Sequence, residues 1–175
     1  MQESERSLRP IGVFDSGIGG LTVVRALRDL LPHEDIFYIG DTARLPYGGK
    51  SKSTIERYSI EISGLLLAEN AKMIVVACNT SSSLAIWKLQ EILKVPVVGV
   101  IAPGARAAVK ETRIGHVGVI GTRSTIQSEA YERAIQALNP AVRVTSQASS
   151  TNGTSSGQAW LVTRTAGFKA WIARS

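Results

Sequence analysis

Five short apolar, β-branched runs recur along the chain, Ile11–Phe14, Ile36–Ile39, Met73–Ala77, Val95–Ile101 and His116–Ile120. Runs this brief and this uniformly apolar suit strands covered on both faces. Between and after them, Leu21–Leu31, Ser53–Leu67, Leu84–Leu93, Ala105–Thr112 and Ser128–Leu138 place apolar residues at helical spacing, which predicts amphipathic helices. Strand and helix in alternation lead to an α/β fold, a parallel sheet with helices on both faces.

Each predicted strand runs into small or polar residues: Asp15-Ser16-Gly17, Gly40-Asp41-Thr42, Cys78-Asn79-Thr80, Pro103-Gly104 and Gly121-Thr122. Open α/β sheets bind ligands beyond the carboxyl ends of their strands. These five segments are therefore expected to form one site.

Composition narrows the function classes. With 175 residues, 44% of them apolar, the chain has enough apolar material for a core. The net charge of +6 invites a nucleic-acid reading, but the excess is uneven: residues 1–140 carry 16 basic and 14 acidic side chains, and the four basic residues beyond have no acidic counterpart. The first 140 residues have an ordinary mixed surface, so no nucleic-acid partner is expected. One cysteine excludes an intrachain disulfide, and His33 and His116 are too isolated from it for zinc-ligand spacing. The polar start MQESERSLRP lacks an apolar signal region, and no apolar run reaches membrane-spanning length. The expectation is a cytoplasmic protein with no membrane association and no metal.

Two glycine-rich stretches invite nucleotide readings. Gly17, Gly19 and Gly20 follow a predicted strand, but a dinucleotide fingerprint needs glycine at position 22, where Thr22 stands. Gly49-Lys50-Ser51 resembles the end of a phosphate-binding loop that requires glycine at position 44, where Arg44 stands. Nucleotide binding is a minor alternative. Leu45-Pro46-Tyr47-Gly48-Gly49 reads either as a turn that sets Tyr47 and the Gly48 N–H toward a ligand or as a plain surface turn.

The sole cysteine, Cys78, sits where an apolar strand turns into amides and hydroxyls. A free cysteine is often only a small buried hydrophobe. Here it precedes Asn79-Thr80-Ser81 and a predicted helix, whose backbone N–H groups are expected to favour a thiolate. Neither histidine is placed to act as its base, which disfavours nucleophilic hydrolysis. Proton transfer requires less: a thiolate, a carboxylate such as Asp15 to tune or relay the proton, and donors for a substrate carboxylate. Ser16, Asn79, Thr80 and Thr122 are suitable donors.

The set Asp15-Ser16-Gly17-Ile18-Gly19-Gly20, Pro46-Tyr47-Gly48, Cys78-Asn79-Thr80 and Gly121-Thr122-Arg123-Ser124-Thr125, in this order and at these separations, closely resembles the glutamate racemases of the cofactor-independent aspartate/glutamate racemase family. The similarity runs from about Ile11 to about Gln147. It implies two pseudo-symmetric α/β domains with glutamate between them, neither pyridoxal phosphate nor metal, and a product, D-glutamate, used in bacterial cell-wall building. On matching positions, Cys78 would be one catalytic acid/base and Asp15 its supporting carboxylate. Ser16, Tyr47, Gly48, Asn79, Thr80, Thr122 and Thr125 would join Asp15 in contacting glutamate. The resemblance leaves room for a homo-oligomer.

Inverting a carbon needs a base on one face and an acid on the other. The family uses two cysteines, the second in a Gly-Cys-Thr-His segment that this sequence lacks. The expected organisation is an N-terminal α/β domain over residues 1–101, an incomplete start of a second over 102–147, and an aberrant or flexible tail over 148–175, rich in Ser, Thr and Gly and without strand or helix period. A frameshifted or truncated racemase is expected to carry half of the chemistry. The competing expectation is a noncatalytic module that binds an acidic amino acid or a protein partner.

Overall fold

The computed structural model describes residues 8–149, with strands at 160–163 and 169–172. Strands β1 (Ile11–Asp15), β2 (Ile36–Gly40), β3 (Met73–Val76) and β4 (Val97–Gly99) form a four-stranded sheet in the order β2-β1-β3-β4. All its pairings are parallel, with Ile11 opposite both Ile36 and Met73.

Alternate residues of β1 and β3 supply two separate cores. Phe14, Ile74 and Val76 pack with Ile62 and Leu66 of helix α2 (Lys52–Ala68) and with Leu89. Ile11, Val13 and Val75 pack with Val23 of helix α1 (Leu21–Leu30). Both faces are thus covered, which is why these strands read as continuous apolar runs rather than alternating ones. Helix α2 starts at Ser51, whose hydroxyl accepts the Thr54 N–H at 3.2 Å, a side-chain cap for an otherwise unpaired donor.

The predicted helix Leu84–Leu93 begins earlier than its apolar pattern suggests and is broken. Helix α3 (Asn79–Leu84) starts directly after Cys78, and α4 (Ile86–Ile92) follows. The polar residues of α3 give it no apolar face, which conceals it from the helical pattern; Ser82 and Ser83, for instance, donate to the Val76 and Asn79 carbonyls. The predicted strand Val95–Ile101 shrinks to Val97–Gly99, since Ile101 opens helix α5 (Ile101–Glu111). Pro103 and Gly104, expected at a strand end, lie in the first turn of α5. A proline there loses nothing, because its missing N–H has no intrahelical partner.

A second sheet has the order β6-β5-β7-β8, built from β5 (His116–Gly121), β6 (Arg143–Ala148), β7 (Trp160–Thr163) and β8 (Lys169–Ile172). β5 and β6 are parallel, whereas β7 and β8 join antiparallel. The parallel expectation therefore holds for the first sheet and for one of the three pairings of the second. Residues 148–175, read from composition as a tail without strand period, start with the end of β6 and include β7 and β8. Backbone pairing to β5 supplies the order that the side-chain pattern does not advertise.

The predicted helix Ser128–Leu138 is α7 (Ala130–Leu138); a short helix that the apolar spacing does not predict, α6 (Arg123–Gln127), precedes it, and Glu129 between them adopts a left-handed φ of 52°. Val117 and Val119 of β5 form a third core with Ala105 and Ala108 of α5 and Tyr131 and Ile135 of α7.

Candidate active site

β1 and β3 are neighbours, so their carboxyl ends put Asp15-Ser16 beside Cys78-Asn79-Thr80. All five residues are buried, Asp15 at 3% exposure and Cys78 at 1%. The Cys78 S–H donates to Ser16 Oγ at 3.3 Å, and Cys78 Sγ accepts the Ser81 N–H at 3.4 Å. Asp15 Oδ2 accepts the Gly20 N–H at 2.8 Å. Gly20 has no room for a side chain: a Cβ there would stand 2.7 Å from that of Asp15. The glycines after β1 thus let the backbone turn over the carboxylate and donate to it.

The thiol behaves differently from the sequence expectation. Burial pushes the Cys78 pKa up, and the neighbouring Asp15 charge pushes it further; hydrogen bonding with Ser16 and Ser81 opposes them only in part. Desolvation and a like charge both disfavour an anion. The group held here is a thiol, the acid form. Tyr38, which donates to the Gly17 carbonyl at 2.9 Å, is raised to about 12 by burial and by Asp15 and Cys78. Its position near Asp15 and Cys78 was not visible in sequence, where it reads as one more strand residue.

β5 delivers the second group. Thr122 caps α6, its hydroxyl accepting the Thr125 N–H at 3.3 Å. Thr80 Oγ1 lies 3.1 Å from Thr122 Oγ1 and 3.4 Å from Thr125 Oγ1, and the latter two are 3.0 Å apart. Three hydroxyls from the two halves of the chain thus form one closed cluster. Gly48 presses on it: a Cβ there would stand 2.6 Å from Thr122 Cβ, and the Gly48 carbonyl accepts from Ser124 Oγ at 2.7 Å.

Tyr47 is buried against Cys78, Ile55 and Ala85. Its hydroxyl donates to the buried Asp41 carboxylate, which also receives Arg44 Nε at 2.6 Å. Burial and this carboxylate raise the Tyr47 pKa, so the phenol keeps its proton. Asp41, noted in sequence only as a strand-end residue, anchors the turn that carries Tyr47 and Gly48.

Of the five strand ends expected to converge, four do, those of β1, β2, β3 and β5. Pro103-Gly104 does not. His116 bonds Thr145 Oγ1 at 2.9 Å at the amino end of β5, away from Cys78. Sequence reasoning missed Tyr131, which donates to Asn79 Oδ1 at 2.6 Å; it reads as an apolar position of a helix, and only the tertiary fold, with α7 packed on α5, brings the two together.

Among the described residues no helix is long and apolar enough to cross a membrane. A family model described as Asp/Glu/Hydantoin racemase matches residues 21–166. A glutamate racemase of Geobacter metallireducens is 55% identical over 140 residues, covering 80% of this chain and 52% of that protein. The crystal structure of a glutamate racemase isoform from Bacillus anthracis superposes with a TM-score of 0.78 at 47% identity, over 81% of this chain and 53% of that one. The glutamate racemase of Francisella tularensis, solved in complex with D-glutamate, gives 0.74 at 46% identity, over 81% and 53%. The chain spans about half the length of the curated relatives it matches. With the matched model covering most of the sequence, and both acid and thiol standing at the ends of adjacent parallel strands, the chain belongs to the Asp/Glu/hydantoin racemase family.

Proposed function

We propose that this chain carries one face of a glutamate racemase, with glutamate as substrate and Cys78 as the acid/base on that face. The observation that carries the reading is the juxtaposition of Cys78 with Ser16, under the charge of Asp15, beside the Thr80–Thr122–Thr125 hydroxyl cluster. A similar glutamate racemase solved in complex with D-glutamate, and another with L-glutamate, support the substrate assignment. Ser16, Tyr47, Gly48, Asn79, Thr80, Thr122 and Thr125 then contact glutamate, without pyridoxal phosphate or metal.

In this reading the Cα–H bond breaks on one face, the electron pair passes into the substrate carboxylate, and a proton returns to Cα from the other face. Cys78, held as a thiol, enters as the proton donor on its face. To serve as base it must first lose its proton; a substrate ammonium near Asp15 opposes the like-charge repulsion that holds the thiol neutral. Asn79 and the threonine hydroxyls stabilise the negative charge that builds on the carboxylate. In the whole racemase the product, D-glutamate, serves peptidoglycan synthesis in the cytoplasm.

The raised thiol pKa favours a second reading, a noncatalytic module that binds an acidic amino acid. Incubation with L-glutamate in heavy water separates the two. The racemase reading expects slow loss of the α-proton signal that vanishes in Cys78→Ala, with no D-glutamate formed by a chain holding one cysteine. Glutamate binding without any exchange leaves the binding module. Rapid racemisation dependent on Cys78 would contradict the assignment of a single face.

A further inference from the structure

Asn79 lies at the start of α3 with 1% exposure, and its two amide atoms are treated differently by the fold. Oδ1 accepts the phenol proton of Tyr131, itself 2% exposed, at 2.6 Å. Nδ2 is buried and has no hydrogen-bond partner. A buried amide nitrogen without an acceptor is costly, so such a group calls for an explanation in function.

The reverse orientation of the amide satisfies less. Nδ2 would then donate to the phenol oxygen, while Oδ1 lost its donor and the phenol proton its acceptor. Burial raises the Tyr131 pKa, so the phenol keeps this proton and stays a donor. The donor therefore dictates which way the amide points.

We propose that Tyr131 is a positioning residue for the proposed reaction: its hydroxyl locks the Asn79 amide so that the Nδ2 hydrogens face the substrate and donate to a glutamate carboxylate oxygen. Tyr131 does this from the core on β5, where it clusters with Val117, Val119 and Ile135. It thereby ties substrate binding at the first sheet to correct docking of α7. Glu129, at a left-handed φ of 52°, breaks the chain between α6 and α7 and so sets the start of the helix that carries Tyr131. The inference rests on the glutamate reading above.

The test is a double-mutant cycle on L-glutamate affinity, using the 175-residue chain, Tyr131→Phe, Asn79→Ala and the double variant. Tyr131→Phe keeps the ring and removes the hydroxyl; the expected result is about tenfold weaker binding. Because Tyr131 acts through Asn79, the double variant should bind no more weakly than Asn79→Ala alone. Additive losses would show a merely structural role and overturn the proposal, as would unchanged affinity in Tyr131→Phe. A second readout is independent of these variants. Adding L-glutamate should shift the Asn79 side-chain NH₂ resonances of the unaltered chain, and their constancy in a chain that binds would overturn the proposal. Failure of the unaltered chain to bind L-glutamate sinks the function reading and this inference with it, whereas binding weakened by Asn79→Ala but not by Tyr131→Phe sinks the inference alone.

Discussion

Cys78 and Thr122 occupy the same local geometry in the two halves of the chain. Each follows the last residues of a strand, each is extended, and each caps a short helix by accepting the N–H three residues ahead, at 3.4 Å for the sulfur and 3.3 Å for the hydroxyl. Only one sits next to a carboxylate and is wholly buried. The comparison teaches that capping delivers a functional atom to the end of a strand but does not decide its protonation. A helix start alone would favour a thiolate; around Cys78, burial and Asp15 outweigh it.

The largest contrast should appear in chemistry. Cys78→Ser replaces the capping sulfur by a hydroxyl that can still accept the Ser81 N–H, and is expected to retain glutamate binding while losing α-proton exchange in heavy water to below detection; Thr122→Ser should keep exchange within about tenfold. Equal losses in both, followed by NMR of the α-proton, would erase the functional distinction between the two caps.

A smaller but still large effect is expected from Gly48→Ala, because the new methyl would collide with Thr122 Cβ, which is not the end of a flexible side chain. The turn must shift, at a cost of about 1–3 kcal/mol in unfolding free energy, with glutamate affinity falling in parallel. Thermal unfolding and binding measured on the same sample check it; a neutral result would mean that the turn is not held against the β5 side of the site.

Removing a cap tests its structural half. Thr122→Val keeps the shape and deletes the acceptor, with an expected loss of about 1 kcal/mol, whereas Cys78→Ser should cost less because a hydroxyl still accepts the Ser81 N–H. Denaturant melts give both numbers, and a reversed order would show that sulfur packing outweighs the cap.

The smallest effect concerns pH. The folded chain holds the Cys78 proton more tightly than the unfolded chain does. Its contribution to stability is therefore complete below the ordinary thiol pKa of about 8.5 and is lost as pH rises through the folded value. Unfolding curves at neutral pH and near pH 10 should show an alkaline loss that is smaller in Cys78→Ala.

Much of the first sheet was legible because β1 and β3 are buried on both faces and β2, only partly covered, is still apolar along its length, so all three announce themselves as apolar runs within a residue of their observed ends. α3 was not legible as a helix: Asn79, Thr80, Ser81 and Ser82 carry no apolar face, since their side chains line the site or bond the backbone, as Ser82 Oγ does to the Val76 carbonyl at 2.9 Å. β7 and β8 escaped for a related reason, their place being set by backbone pairing to β5 and to one another. The residues at the strand ends were identifiable by type and position; the Asp41–Tyr47 anchor and the Tyr131–Asn79 bond were not, because each joins residues that no local period relates.

The order of apolar runs and polar turns in the sequence determined by itself that a parallel α/β sheet would form and that Asp15, Cys78 and Thr122 would emerge at carboxyl ends, since strand direction and burial are local consequences of pattern. Tertiary structure alone decided that the thiol stays protonated and that the Asn79 amide has one orientation. Both depend on which charges and donors lie within a few ångströms, and neighbours distant along the chain, Asp15 for the one and Tyr131 for the other, supply them only once the layers have packed.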